Sequence, residues 1–278
     1  MTGPAFLSNQ SVLRISGSDC KTFLQGLITN DIQVVSPTSA IYTLLLTPQG
    51  KFLYDFFVIE HHDYVLIDVH KNQAESLKKR LSLYKLRANV LIEDVSSEYT
   101  IFVSLDSVSV NPQNYILAYQ DPRLKDLGNR WIVPREHTQS DLSWDAKDDD
   151  YNLFRLKLGI PQGYQDMIPE RSIPLESGVQ DLNAISWTKG CYIGQELMAR
   201  TRYRGEIRKR LFPVERTRGH FEDAGPITNE AGDKVGELYS FQQNRGLARL
   251  KIEGIQKPLF IDGISLKIHQ PAWINLTA

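Results

Sequence analysis

The chain has 278 residues, 41% of them hydrophobic and 23% charged, with a net charge of −1. That length supports a large core and more than one domain, and the balanced charge excludes a global pull toward nucleic acid or membrane, so any electrostatic preference rests on local patches. Two cysteines, Cys20 and Cys191, are too few for a disulfide framework and fit a reducing compartment.

No apolar run reaches the length of a membrane span, and no membrane partner is expected. "MTGPAFLSNQ" lacks the basic start and apolar stretch of a secretory signal and is too poor in arginine for a transit peptide. The expected setting is the bacterial cytoplasm, or the mitochondrial matrix if the source is eukaryotic.

In chain order, "SVLRISG" alternates and predicts a strand ending at Gly17. Ser18 or Asp19 then caps a helix through "CKTFLQGLITN". "AIYTLLLT" and "KFLYDFFVIE" flank Pro48-Gln49-Gly50 and predict a β-hairpin, with "DYVLIDV" as a further strand. Residues 71–88 carry Ala74, Leu77, Leu81, Tyr84 and Ala88 at helical spacing. "NVLIEDV", "YTIFVSL", "QNYILAYQDP" and "NRWIVP" predict strands, and "DDDYNLFRLKLG" a helix stopped by Gly159.

Residues 159–190 are rich in Pro and Gly and lack a sustained period, the mark of a binding loop or linker. From Glu206 onward, short strands and turns predict a small all-β domain. Glycine-rich dinucleotide loops, a P-loop and a Gly-x-Ser-x-Gly elbow are all missing, and the six histidines, His61-His62 included, show no zinc spacing.

The chemistry concentrates in "TKGCYIGQELMARTRYRG", residues 188–205. Gly190 breaks the chain and the following spacing places Cys191 at or just before a helix start, where unpaired N–H groups favour thiolate. Lys189 acts in the same direction if it points inward. The plainer alternative for Cys191 is a buried, small apolar side chain, the role assigned to Cys20. Over residues 189–210, Lys189, Arg200, Arg202, Arg204, Arg208, Lys209 and Arg210 stand against only Glu196 and Glu206. They form either an anion-binding stripe or a solvated charged face.

"KGCYIGQELMARTRYRGEIRKRLFPV" resembles the signature of the YgfZ-type folate-binding proteins of iron–sulfur cluster assembly or repair, relatives of the glycine-cleavage T-protein, an aminomethyltransferase. Lys189 to Glu196 fill eight consecutive motif positions, and "IRKRLFPV" is similar to the mitochondrial branch. "FLQGLITND", "LLTPQGKFLYDF" and "IPLES" extend the resemblance over most of the chain.

The resemblance implies an α+β, ring-like, three-part fold: a ferredoxin-like unit over 1–100, a second α/β unit over 101–205 with the Pro/Gly-rich loop and the signature, and a C-terminal β-barrel over 206–278. It implies tetrahydrofolate or a derivative in a central channel. Glu176 and Asp55 would take the pterin edge, since one carboxylate can accept two adjacent N–H donors. Asn30, Tyr192, Gln195, Arg200 and Arg208 would complete the cofactor site.

Cys191 would be the working thiol and metal ligand, with Lys189 and Asp55 as the other chemical residues. One cysteine cannot hold a cluster alone, so a shared [2Fe-2S] cluster implies a scaffold or A-type carrier partner. Where the T-protein hairpin carries paired acids, this chain has Tyr54-Asp55 after Gly50-Lys51, which argues against aminomethyl transfer. A thiol suits soft iron better than folate. The implied function is a folate-binding accessory factor acting through Cys191. A tetrahydrofolate-dependent one-carbon transferase and a tRNA-modification factor using the arginine stripe to bind RNA are the alternatives.

Overall fold

A computed structural model describes residues 5–104, 116–138 and 148–275. The first unit is an antiparallel sheet of order β3-β4-β5-β2-β6, built from Gln10–Ser16 (β2), Ile41–Leu46 (β3), Phe52–His61 (β4), Tyr64–His70 (β5) and Leu91–Asp94 (β6). Helices Cys20–Gln25 (α1) and Lys71–Lys85 (α2) cover one face. β2-α1-β4-β5-α2-β6 is the split β-α-β pattern of a ferredoxin-like unit, as expected.

α2 begins where His70 Nδ1 accepts the N–H of Asn72 at 3.2 Å and buries Ala74, Leu77 and Leu81. It ends at Leu86, whose φ of 46° leaves the helical region. α1 is shorter than its apolar pattern suggests. Both Leu27 and Ile28 donate back to the Leu24 carbonyl at 2.9 and 3.0 Å, and Thr29 N–H then goes to Leu44 of β3. Pairing with the sheet removes those residues from the helix.

The second sheet has the order β1-β7-β9-β8, from Ala5–Phe6 (β1), Tyr99–Ser104 (β7), Leu117–Gln120 (β8) and Asn129–Pro134 (β9). Its first strand comes from the N-terminus, where Ala5 pairs with Val103. The chain therefore starts in the second unit before building the first. Residues 113–115 of the strand expected at "QNYILAYQDP" lie outside the described residues.

Asp148–Leu158 (α3) ends at Gly159 with φ of 78°. The irregular stretch after it holds only Gly163–Asp166 (α4) and a 3-10 turn at Pro174–Ser177 before Gln195–Arg204 (α5). The other face of the first sheet, the second sheet and this stretch share one core, with Tyr42, Phe57, Tyr119, Ile132, Met167 and Tyr192 among its members.

The C-terminal unit is a closed barrel, β10-β13-β12-β11-β14-β15. Its strands are Lys209–Arg216 (β10), Pro226–Thr228 (β11), Lys234–Gln242 (β12), Arg245–Lys251 (β13), Leu259–Ile261 (β14) and Ile264–Ile268 (β15). Phe212, Val214, Leu238, Ala248 and Leu250 fill it. Only the short β11 lacked a clear sequence signal. No helix among the described residues is long and apolar enough to cross a membrane.

Candidate functional site

The signature segment is a loop pinned on the C-terminal end of α1. Lys189 is buried, and its ammonium donates to the carbonyls of Gln25, Ile28 and Asn30 at 2.7, 2.7 and 2.8 Å. An ammonium has three donors, so Lys189 is fully committed to this clamp and not to the thiol. Burial pulls its pKa down to about 8, against Asp31, which raises it. Ile193 N–H donates to the Gly26 carbonyl at 3.3 Å, and Ser186 N–H to Thr29 at 3.1 Å.

The pinning also moves the helix start. α5 begins at Gln195, not at Cys191, because Gly194 turns the chain with φ of 84°. A Cβ there would lie 2.5 Å from the Thr47 carbonyl, and one on Gly50 would lie 3.0 Å from Leu197 Cβ. Two glycines thus let the β3–β4 turn meet the start of α5 at backbone contact. The helix-terminus argument for Cys191 loses its basis, since the residue sits four positions before the first helical one.

What the loop does achieve is presentation. Cys191 is exposed, while Cys20 is buried with its thiol on the Ile15 carbonyl and its pKa pushed up to about 11 by desolvation. Beside Cys191 in the chain, Tyr192 is buried and its hydroxyl has no hydrogen-bond partner. Burial raises that phenol to about 12.

Beyond it, α5 exposes Arg200, Arg202 and Arg204, none of which has a carboxylate within ion-pair distance among the described residues. Arg202 lies 4.1 Å from the Trp187 ring centre and 5.1 Å from that of Tyr203, which is 69% exposed. The stripe is therefore split: these three arginines lie at the surface, Arg202 against aromatic rings, whereas Lys189 and Arg210 are buried.

The middle of the molecule holds a second constellation. Asp55 is partly buried, and its Oδ2 accepts from the Tyr42 hydroxyl at 2.8 Å and from Gly163 N–H at 3.2 Å. Burial raises its pKa, while the Tyr42 hydrogen bond and the Arg123 charge act against that rise. It shares a cavity of about 40 Å3 with Asp68, His70, Arg123, Arg130 and Arg155.

These charges are paired inside the protein. Arg130 donates to Asp68 at 3.1 and 2.5 Å. Arg123 donates to Asp121 at 3.0 and 2.7 Å and to the Tyr151 hydroxyl at 2.9 Å. Arg155 donates to Asp166 at 2.9 Å. The Arg130 guanidinium lies 4.2 Å from the Phe57 ring centre, and Arg123 lies 4.8 Å from the same ring. Sequence reasoning missed this network, although Asp68 within "DYVLIDV" and Arg130 within "NRWIVP" carry its signal, a lone charge in an apolar strand that must find a partner.

A family model of the CAF17 C-terminal beta-barrel domain matches residues 208–276. The mitochondrial iron–sulfur cluster assembly factor IBA57 of Homo sapiens is 33% identical over 306 residues, covering 96% of this chain and 84% of the relative. The chain belongs to the IBA57 family.

The IBA57 of Mus musculus is 33% identical over 291 residues, covering 92% of this chain and 79% of its own. The Neurospora crassa homolog is 30% identical over 282 residues, covering 94% and 62%. The glycine cleavage system aminomethyltransferase T from Bartonella henselae has the same fold, with a TM-score of 0.77 at 12% identity over 98% of this chain and 86% of that one.

In this IBA57-family chain the residues expected around tetrahydrofolate do not meet in one cavity. Ligand pockets usually measure about 300–1,000 Å3, whereas the 40 Å3 beside Asp55 suits one or two waters. Glu176 is paired with Arg249 at 3.4 Å, away from the lining of that cavity. The Asn30 amide is taken by the carbonyls of Tyr42 and Asn183 at 2.9 and 2.7 Å. The Tyr192 side chain is part of the core, Gln195 opens α5, and Arg200 and Arg208 are exposed, with Arg208 held by Glu206 at 3.1 Å. Cys191 belongs to no group of three or more potential metal ligands among the described residues.

Proposed function

We propose that this chain assists the assembly of iron–sulfur clusters by lending Cys191 as one ligand to a cluster whose other ligands come from a partner protein. The observation that carries this reading is the exposed thiol on a clamped loop that leads into α5, whose Arg200, Arg202 and Arg204 have no carboxylate partner among the described residues. The cluster is cargo. A [2Fe-2S] unit held by thiolates is anionic, and a cationic face next to the accepting sulfur favours its approach.

The partner is a thiolate-bearing scaffold or A-type carrier. Arg202 between Trp187 and Tyr203 provides the residue types that dominate binding energy at protein interfaces. The mitochondrial names of the relatives support a matrix setting over the bacterial cytoplasm. Iron is soft enough for a thiolate, and neither aminomethyl transfer nor RNA modification is needed to account for the loop.

The test is anaerobic mixing with a cluster-loaded carrier, read by visible absorption and by native mass spectrometry. The wild type is expected to give a mixed complex carrying cluster absorbance. Cys191→Ser is expected to lose that complex entirely while keeping its melting temperature. Equal cluster retention by wild type and Cys191→Ser would refute the proposal.

A further inference from the structure

A separate cavity lies between the end of α5 and the adjoining ends of β10 and β13. It measures about 870 Å3, within the range of organic-ligand pockets. Glu206, Arg208, Lys209, Arg210, Lys251 and Glu253 supply its charged lining. Ile207 and Ile252, both half-buried, add apolar wall.

We infer that this cleft is a binding site for an organic polyanion, a molecule with at least two carboxylate or phosphate charges on a partly apolar body. Lys209 and Lys251 are direct partners in the β10–β13 register, so their side chains leave the sheet on the same face. Like charges directly opposite each other destabilise a strand pair. Neither lysine has a carboxylate within ion-pair distance among the described residues, whereas Arg208 and Arg210 are committed to Glu206 and Asp181.

The Arg208–Glu206 pair is fully at the surface, where such pairs are weak. Its guanidinium is therefore free to exchange Glu206 for a bound anion. Arg210, the next residue of β10, is 5% exposed and turns to the opposite face, where Asp181 and the Leu175 carbonyl hold it. Glu206 and Glu253 are the opposing charges in the lining, outnumbered by the cations around them. The inference is independent of the cluster reading, since Cys191 lines no part of this cavity.

The test uses the full chain with two probes, inorganic pyrophosphate and a triglutamate peptide, each against sodium chloride at matched ionic strength. At saturating concentration one probe or both is expected to raise Tm by about 2–4 °C. The probe that acts tells phosphate from polycarboxylate chemistry. Lys209→Gln combined with Lys251→Gln is expected to weaken calorimetric affinity by about tenfold or more.

Lys209→Glu, which converts the repulsive pair to an attractive one, is expected to abolish the response while raising the ligand-free Tm. Arg218→Gln, on an exposed turn, leaves both readouts unchanged. No rise with either probe beyond the salt control, or a rise that survives in Lys209→Glu, overturns the inference.

Discussion

The centre of the molecule and the Cys191 loop are both rich in charge, yet they are organised in opposite ways. In the centre, Asp68, Asp121 and Asp166 each meet an arginine, and two guanidiniums rest against Phe57, so nearly every charge is answered from within. At the loop, Lys189 is consumed internally, but Cys191, Arg200 and Arg204 are left facing outward. The centre is closed by the chain's own ion pairs, and the loop is not.

The largest expected effect follows from the closed centre. Arg130→Met leaves Asp68 buried without its partner and is expected to cost about 3–5 kcal/mol in denaturant unfolding. A cost near zero would mean that the centre is wet and open, and the contrast with the loop would vanish. Next comes Gly194→Ala, which forces a side chain into a left-handed φ and against the Thr47 carbonyl. Its expected cost is about 2–3 kcal/mol. Unchanged stability there would show that the contact between the β3–β4 turn and α5 is loose.

Lys189→Met strands three backbone carbonyls and is expected to cost about 1–2 kcal/mol while lowering cluster retention by Cys191. Retention equal to wild type would separate the clamp from the thiol's function. The smallest effect is a pH dependence at His70. Burial, then the Arg155 charge, lowers its pKa to about 4. The unfolded chain takes up the proton near its ordinary value of about 6.5 and the folded chain does not until about 4. Stability is therefore lost as pH falls through that window. Tm measured at pH 7 and pH 5 should drop, and His70→Asn, which preserves a capping acceptor, should drop less.

Much of this fold was legible because apolar period and turn residues agree with each other. The Pro48-Gln49-Gly50 hairpin appears where its pattern places it, and the helix expected over 71–88 forms over Lys71–Lys85, three residues short at its C-terminal end. Misreadings arose where tertiary contacts overrode local pattern, as at Ile28 and Thr29, which bridge to β3, and at Gly194, which delays α5. The exposed thiol could be found from its motif. The buried ion pairs could not, because partners such as Asp68 and Arg130 lie far apart in the chain and each reads alone as an odd strand residue. Glu176 was expected at the pterin edge, and its ion pair with Arg249 of the barrel is invisible without the fold.

The pairing of Ala5 with Val103 makes the ferredoxin-like unit an excursion between two strands of its neighbour. The second sheet cannot be completed during synthesis until the whole first unit has been made, and neither can be lost without loosening the other. The barrel, by contrast, is one uninterrupted run from Lys209 to Ile268. Hydrogen exchange should accordingly show two cooperative blocks, one containing both sheets and one the barrel, instead of three.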